Sequence, residues 1–257
     1  MVIEDIDAAA GQLRRLIDVA ASTVAFTGAG ISTESGVPDY RSKNSPWTRL
    51  APIPFDVFMA SPAQRVEAWR RKFAMDDLYA GAQPSRGHRA LSRLVETGRL
   101  DAIITQNIDG LHQASGVGMD RLIELHGNGT YATCLTCAQR YELPEIRRAF
   151  DETGEAPRCV WCGGIVKSAT ISFGQALPAS VLKAAQAVTL GCDLFIAIGS
   201  SLVVYPAAAL PIMAQRNGAK LVILNGEATP LDGEADLVLR GDIGTVLDLA
   251  MRSTNGG

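Results

Sequence analysis

Six short apolar runs recur along the chain, and each ends in a polar or glycine-containing tail: "TVAFTGAG", "DAIITQNID", "RLIELHG", "DLFIAIGSS", "KLVILNGE" and "ADLVLRGD". Runs of this kind, separated by helices, are the strands of a parallel sheet covered on both faces. Helix-like segments do separate several of them. Pro84-Ser85 opens "RGHRALSRLVET", which Gly98 closes, and "PAAALPIMAQRNG" ends at Gly218. Ahead of the first run, Ile6, Leu13, Leu16, Ile17 and Ala20 fit one face of a helix. The pattern predicts an α/β fold built on a Rossmann-like parallel sheet. Ligands of such sheets sit beyond the carboxyl ends of the strands. The tails "GAGIS", "TQNID", "LHG", "GSS" and "NGE" are therefore expected to meet along one crevice.

Two segments break this rhythm. Ser45 to Leu78 is proline-rich and then helical, with Ser61 as cap and Pro62 in the first turn. Tyr131 to Ser168 holds four of the five cysteines. Both are read as parts of a smaller domain inserted in the sheet domain. The expected division is 1–44, 79–130 and 169–257 for the sheet domain, 45–78 for the helical part of the small domain, and 131–168 for its zinc-binding part.

Composition narrows the function. A chain of 257 residues that is 47% apolar can bury a full core. Its net charge of −3 offers no basic field for tight nucleic-acid binding. The window "LFIAIGSSLVVYPAAALPIMA" is apolar, but Gly199-Ser200-Ser201, Pro206 and Pro211 break it as a membrane span. The N-terminus lacks the apolar core of a signal peptide. A cytoplasmic protein is expected; the oligomeric state is left open.

Cys134-x-x-Cys137 and Cys159-x-x-Cys162 have the spacing of two zinc knuckles. The competing reading is a pair of redox dithiols. Four thiolates would leave no open position on a metal, so a zinc ion here is expected to be structural. Cys192, alone, reads as a buried thiol.

In the first tail, Gly28 and Gly30 allow close approach of backbone to a phosphate. The third glycine of a dinucleotide fingerprint is missing, and Asp39, Tyr40 and Arg41 follow in a segment too polar for core packing. Gln106, Asn107 and Asp109 supply donors and acceptors to the crevice, although turn chemistry alone explains an Asn or Asp after a strand. "GSSLVVYP" reads as a second phosphate or ribose loop, or else a capped turn; Asn225 and Glu227 of "LNGE" are ribose candidates. Of the three histidines, His88 falls in a helix and His112 after "IDGL". His126 ends a strand in the crevice, which makes it the best general-base candidate.

Taken together, "GAGISTESGVPDYRS", "TQNIDGLH", "ELHG", the two CxxC pairs, "SFGQ", "GSSLVVYP" and "NGE" resemble, in that order, the sirtuins. These are NAD-dependent protein-lysine deacylases, and the resemblance runs from about Thr23 to Glu227. It implies NAD as a consumed co-substrate, one structural Zn2+, and acylated lysines of proteins as partners. It implies that Gly28, Ala29, Gly30, Ile31 and Asp39 line the cofactor, that Tyr40 caps the departing nicotinamide, and that Arg41 sets phosphate and ribose geometry. Asn107, Ile108 and Asp109 would form the nicotinamide pocket, with Gln106 on the ribose. Gly199, Ser200 and Ser201 would reach the phosphates; Asn225, Gly226, Glu227 and Ile243 would hold the adenosine end. Phe173, Gly174 and Val203 would border the peptide, and Trp69 and Phe73 the acyl channel, unless they pack the core of their helix.

The implied reaction starts with attack of the acyl-lysine carbonyl oxygen on C1′ of the ribose, and nicotinamide leaves. His126 is the expected catalytic base on the ribose hydroxyls, with Asn107 as the second catalytic residue. Free lysine, nicotinamide and O-acyl-ADP-ribose result. This chain departs from the family at Lys167-Ser168, where a basic residue and proline are common, and at Phe173-Gly174-Gln175, where Phe-Gly-Glu is common. Both departures bear on substrate preference. The Tyr-x-x-Arg pair of succinyl-preferring sirtuins falls on Arg70 and Phe73 and is absent, so neutral acyl groups are expected to be removed at least as well as succinyl. "GAGISTESG", "PDYR" and Trp69-x-Arg71-x-Phe73 look most like the second sirtuin class. Two rival readings remain at this stage: mono-ADP-ribosyl transfer to protein, and a non-catalytic NAD-sensing zinc-ribbon module.

Overall fold

Ten strands carry the architecture of the described residues, 1–39 and 45–252, in a computed structural model. They are β1 (Val2–Ile3), β2 (Thr23–Thr27), β3 (Ala102–Thr105), β4 (Leu122–Glu124), β5 (Gly127–Cys134), β6 (Arg140–Glu142), β7 (Val166–Thr170), β8 (Leu194–Ile198), β9 (Lys220–Leu224) and β10 (Leu237–Leu239). The α-helices are α1 (Ile6–Val19), α2 (Phe55–Ala60), α3 (Pro62–Leu78), α4 (Arg86–Glu96), α5 (Leu111–Ala114), α6 (Leu143–Thr153), α7 (Ala179–Gly191), α8 (Leu210–Arg216) and α9 (Ile243–Met251).

The larger sheet runs β1-β10-β9-β8-β2-β3-β4, and every pair in it is parallel. All six runs read as strands from the sequence lie in it. The two-residue β1 is an addition, held on the edge by pairing of Val2 with Val238 and Ile3 with Leu239. The central strands are buried along their whole length, as a sheet covered on both faces requires. Successive residues nonetheless serve opposite faces. Ala25, Ile103 and Ile196 pack with Leu13 and Ile17 of α1, Leu91 and Leu94 of α4, and Val246 and Leu247 of α9. Phe26, Ile104 and Phe195 pack on the other side with Ala185 of α7 and Leu210 and Ala214 of α8. Each fully buried Leu, Ile or Phe contributes about 1.5–3 kcal/mol.

Caps set the helix starts. The Asp5 carboxylate accepts from Ala8 N at 2.8 Å and opens α1. Ser85 and His88 form a reciprocal box at the start of α4. The side chain of Asp242 accepts from Thr245 N at 2.8 Å and opens α9.

The second sheet, β6-β5-β7, is antiparallel. Its core is separate: Ala132, Cys134, Cys159 and Val166 pack with Ile146 of α6 and with Trp69 and Phe73 of α3. The helical segment and the cysteine segment thus share one hydrophobic cluster. The chain passes between the sheets at His126-Gly127. Gly127 has φ +72°, and a Cβ there would lie 2.1 Å from the Ala169 carbonyl oxygen, so only glycine fits this crossing. Among the described residues no helix is long and apolar enough to cross a membrane.

Candidate active site

The chain leaves β2 toward β3 and β4 on one side and returns through β8, β9 and β10 on the other. The strand order therefore reverses between β2 and β8, where open α/β sheets bind ligands. The two loops that leave these strands are locked together. Gly28 N donates to Ile198 O at 3.0 Å, and Gly30 N donates to Gly199 O at 2.8 Å. A Cβ on either Gly28 or Gly30 would stand 2.7 Å from Gly199 backbone. The glycines are thus needed for loop-to-loop contact, a demand that the sequence pattern does not distinguish from approach to a phosphate.

A cavity of about 1150 Å³ opens at this point and runs between the two sheets. Gly28, Ala29, Gly30, Ile31, Asp39, Gln106, Asn107, Ile108, His126, Gly199, Ser200, Ser201, Asn225, Gly226, Glu227 and Ile243 all line it. The strand tails named from the sequence do converge. Tyr40 and Arg41 lie outside the described residues.

The turn after β3 organises the centre. Asn107 Nδ2 donates to Gly28 O and to Ser32 Oγ, each at 3.1 Å. Ser32 Oγ in turn donates to Asp109 Oδ2 at 2.7 Å, while Asp109 Oδ1 accepts from Leu111 N at 2.9 Å. Asp109 does not itself line the cavity. Its two oxygens are spent on fixing Ser32 and the start of α5, so it stands behind Asn107. The fully buried Ser32 is a hub that motif reading did not single out. Gln106 Nε2 donates to Ser200 Oγ at 2.8 Å and ties the second loop to the same turn.

His126 is oriented by this turn as well. Its Nδ1 lies 3.1 Å from the Gln106 carbonyl oxygen, which can only accept, so Nδ1 carries the proton and Nε2 keeps its lone pair. Burial lowers its pKa from the ordinary histidine value, and the bond to Gln106 partly opposes this. A neutral imidazole with an acceptor nitrogen at a cavity wall is the state a general base requires.

The opposite wall comes from α3, from β7 and from the loop after β7. Ala68, Trp69, Lys72, Met75 and Tyr79 line the cavity at helical spacing, with Arg71 beside them. Lys72 pairs with Asp76, and Arg71 Nε with Glu67 at 2.8 Å. Among the described residues the buried Lys167 has no carboxylate partner; burial pushes its pKa down to about 8, and Nζ donates to Thr170 O at 2.6 Å. The Ser168 hydroxyl is buried with no hydrogen-bond partner. Phe173 and Gly174 line the cavity, Phe173 with its ring exposed, and Phe173 O accepts from Phe55 N at 2.9 Å.

Two expected substrate residues stand elsewhere. Phe73 packs inside the second core, its ring 5.5 Å from Trp69 and 5.7 Å from Phe150. It follows the cavity-lining Lys72 by one residue, about 100° further round the helix. Val203 is half-buried off the cavity, which Val204 and Tyr205 line instead.

The four paired cysteines converge with all sulfurs within 4.8 Å of one another. Sγ separations of 3.5 Å (Cys134–Cys162), 3.5 Å (Cys137–Cys162) and 3.6 Å (Cys137–Cys159) suit a tetrahedron with Zn–S bonds of about 2.3 Å. The Tyr141 hydroxyl donates to Cys159 Sγ at 3.1 Å and Thr136 N to Cys134 Sγ at 3.4 Å, as thiolate ligands require. The residues fit zinc.

Fold and site together define a dinucleotide-binding α/β protein with an attached tetracysteine metal module. The chain belongs to the Sir2 family, whose sequence pattern matches residues 28–206. It is 54% identical over 247 residues to NAD-dependent protein deacetylase 1 of Bradyrhizobium diazoefficiens, covering 96% of this chain and 97% of that one. It is 53% identical over 247 residues to an NAD-dependent protein deacetylase of Rhodopseudomonas palustris, covering 96% and 98%. A solved Sir2 complex with a p53 peptide and NAD+ superimposes with a TM-score of 0.83 at 36% identity, covering 93% of this chain and 96% of that one.

Proposed function

We propose that this chain is an NAD-dependent protein-lysine deacylase, which frees lysine and releases nicotinamide and O-acyl-ADP-ribose. The observation that carries this reading is His126, a half-buried neutral imidazole whose Nε2 is left as an acceptor at the wall of the switch-point cavity. NAD is a co-substrate and supplies an electrophilic ribose carbon with nicotinamide as leaving group.

The chain's own residues bind and orient. Asn107 and Ile108 wall the nicotinamide pocket, with Ser32 and Asp109 fixing Asn107 from behind. Ser200 Oγ already accepts from Gln106 Nε2 and from Leu202 N, so its own proton remains to donate to a phosphate oxygen. Asn225, Gly226, Glu227 and Ile243 face the adenosine end. Phe173 and Gly174 offer an apolar ring and open backbone to the peptide beside the acylated lysine. His126 Nε2 takes the proton of a ribose hydroxyl, which then attacks the acyl carbon; the bond from that carbon to the lysine nitrogen breaks, lysine leaves as the amine, and one water supplies the oxygen that balances the products. The zinc ion supplies folding energy and no chemistry, because cysteine fills every position. A tetrathiolate centre also suits the reducing cytoplasm.

The test is His126→Ala. Deacetylation of a peptide with NAD should fall about 100-fold or more, the scale for loss of a positioned base. NAD and peptide binding, followed by calorimetry, should persist. Turnover near that of the parent would move the base role to another residue and remove the observation on which the proposal stands.

A further inference from the structure

Beneath the cavity lies a buried chain of hydrogen bonds that ends on the turn carrying Gln106 and Asn107. His112 is 2% exposed and Thr27 and Thr105 are no more exposed than that. His112 Nε2 lies 2.9 Å from Thr27 Oγ1, and Thr27 Oγ1 donates to Thr105 Oγ1 at 2.8 Å. Thr105 Oγ1 also accepts from Asn107 N at 3.1 Å. A hydroxyl has one proton. A proton on Nδ1 would be a buried N–H with no acceptor, so the proton of His112 sits on Nε2 and is given to Thr27 Oγ1, which passes its own to Thr105. Burial lowers the pKa of His112 well below the ordinary histidine value, so the ring is neutral and this single donor is the one it has.

The other ring nitrogen, Nδ1, is buried with no hydrogen-bond partner. An orphaned buried acceptor is costly. Packing alone would be met better by an apolar side chain of the same size, so the imidazole is there for its Nε2 donor. The receiving turn holds three groups of the site at once: the Asn107 amide, the Gln106 carbonyl that orients His126, and the Gln106 amide on Ser200.

We propose that His112 is a positioning residue for the reaction, acting through Thr27 and Thr105 to hold the Gln106–Asn107 turn in its working geometry. The proposal rests on the reading of Asn107 and His126 given above. It involves no proton transfer: the hydroxyls relay orientation, and any side chain at 112 that donates from the same place should serve.

The experiment measures kcat and the KM values for NAD and for an acetyl-lysine peptide on the zinc-loaded full chain. The variants are His112→Leu, His112→Gln, Thr27→Val, Thr105→Val, Thr105→Ser and Asn107→Ala. We expect kcat/KM for NAD to fall about tenfold in His112→Leu and Thr105→Val, with the peptide KM within about twofold of the parent. Thr105→Ser and His112→Gln should recover most of the loss, because each restores the polar atom and not the shape. His112→Leu and Thr105→Val should be non-additive, as members of one network are. If His112→Leu fails to fold, the isosteric Thr27→Val and Thr105→Val carry the same test. A near-parental kcat/KM for NAD in the threonine-to-valine variants, or no recovery in the polar ones, overturns the proposal. An impaired Asn107→Ala beside silent brace variants sinks the brace alone; a silent Asn107→Ala sinks the site reading with it.

Discussion

His126 shows how far a residue can be read before its surroundings are known. Its place at the end of the run "RLIEL" identified it, because a strand end in a parallel sheet faces the crevice. Its tautomer was not legible, since the Gln106 carbonyl that fixes it comes from a different strand tail. Phe73 illustrates the converse. The spacing of Trp69 and Phe73 places both near one helix face, but only packing shows that the second core holds both and leaves Trp69 alone to reach the cavity. Ser32 was invisible as a hub because a lone serine in a loop carries no pattern. The pKa of His126 leads to a prediction at this scale. Only the neutral form acts as base, and burial lowers the pKa, so the active form persists into more acidic solution. The acid limb of kcat/KM for the acyl peptide should therefore have its midpoint below the ordinary value of about 6.5. A pH–rate profile with its midpoint at or above that value would contradict this.

At the scale of elements, apolar runs and caps gave away the six main strands, α1 and α4, because burial on both faces and capping both leave local marks. The two-residue β1 leaves too short a mark. The helix α7 escaped for another reason: "ASVLKAAQAVTLG" is small and apolar nearly all round, with no sharp polar face to give a period. The two CxxC knuckles were fully legible in position, whereas the sulfur geometry that favours zinc over a dithiol was not. One zinc per chain is expected by metal analysis, and Cys134→Ser should destabilise the small sheet by several kcal/mol, roughly, because zinc binding is folding energy there. Zinc-free protein that stays folded and active would defeat that expectation. The helix α3 bears on the acyl group. Arg70, at the position of the absent tyrosine, is an exposed residue paired with Glu67, and Lys72 on the cavity side is paired with Asp76. With Arg71 also on Glu67, and Lys167 Nζ donating to the Thr170 carbonyl, acetyl- and longer acyl-lysine should be processed at least as well as succinyl-lysine. Comparison of kcat/KM on one peptide decides it; a tenfold preference for succinyl, about 1.4 kcal/mol, would contradict the reading.

The whole molecule stores two neutral histidines side by side in its core. His88 and His112 have ring centroids 4.7 Å apart, and both are buried. Burial pushes the pKa of His88 down to about 4 and that of His112 well below the ordinary value. Unfolding returns both to about 6.5, so below that pH the unfolded chain binds more protons than the folded one. Their contribution is complete above pH 6.5, roughly, and is lost as the pH falls toward the folded values. Urea denaturation at pH 7 and pH 5, with zinc content held equal, should show a loss of about 2 kcal/mol or more. An unchanged midpoint would mean that the pair is not neutral in the fold. The central claim concerns the molecule as a single catalyst, in which the sheet crevice and the second module enclose one cavity and couple NAD consumption to lysine release. The most direct test is mass spectrometry of every product formed from NAD and an acetyl-lysine peptide. The account predicts free-lysine peptide, nicotinamide and O-acetyl-ADP-ribose in equal amounts; ADP-ribosylated protein with the acetyl group still on its lysine, or NAD bound with no nicotinamide released, would contradict it.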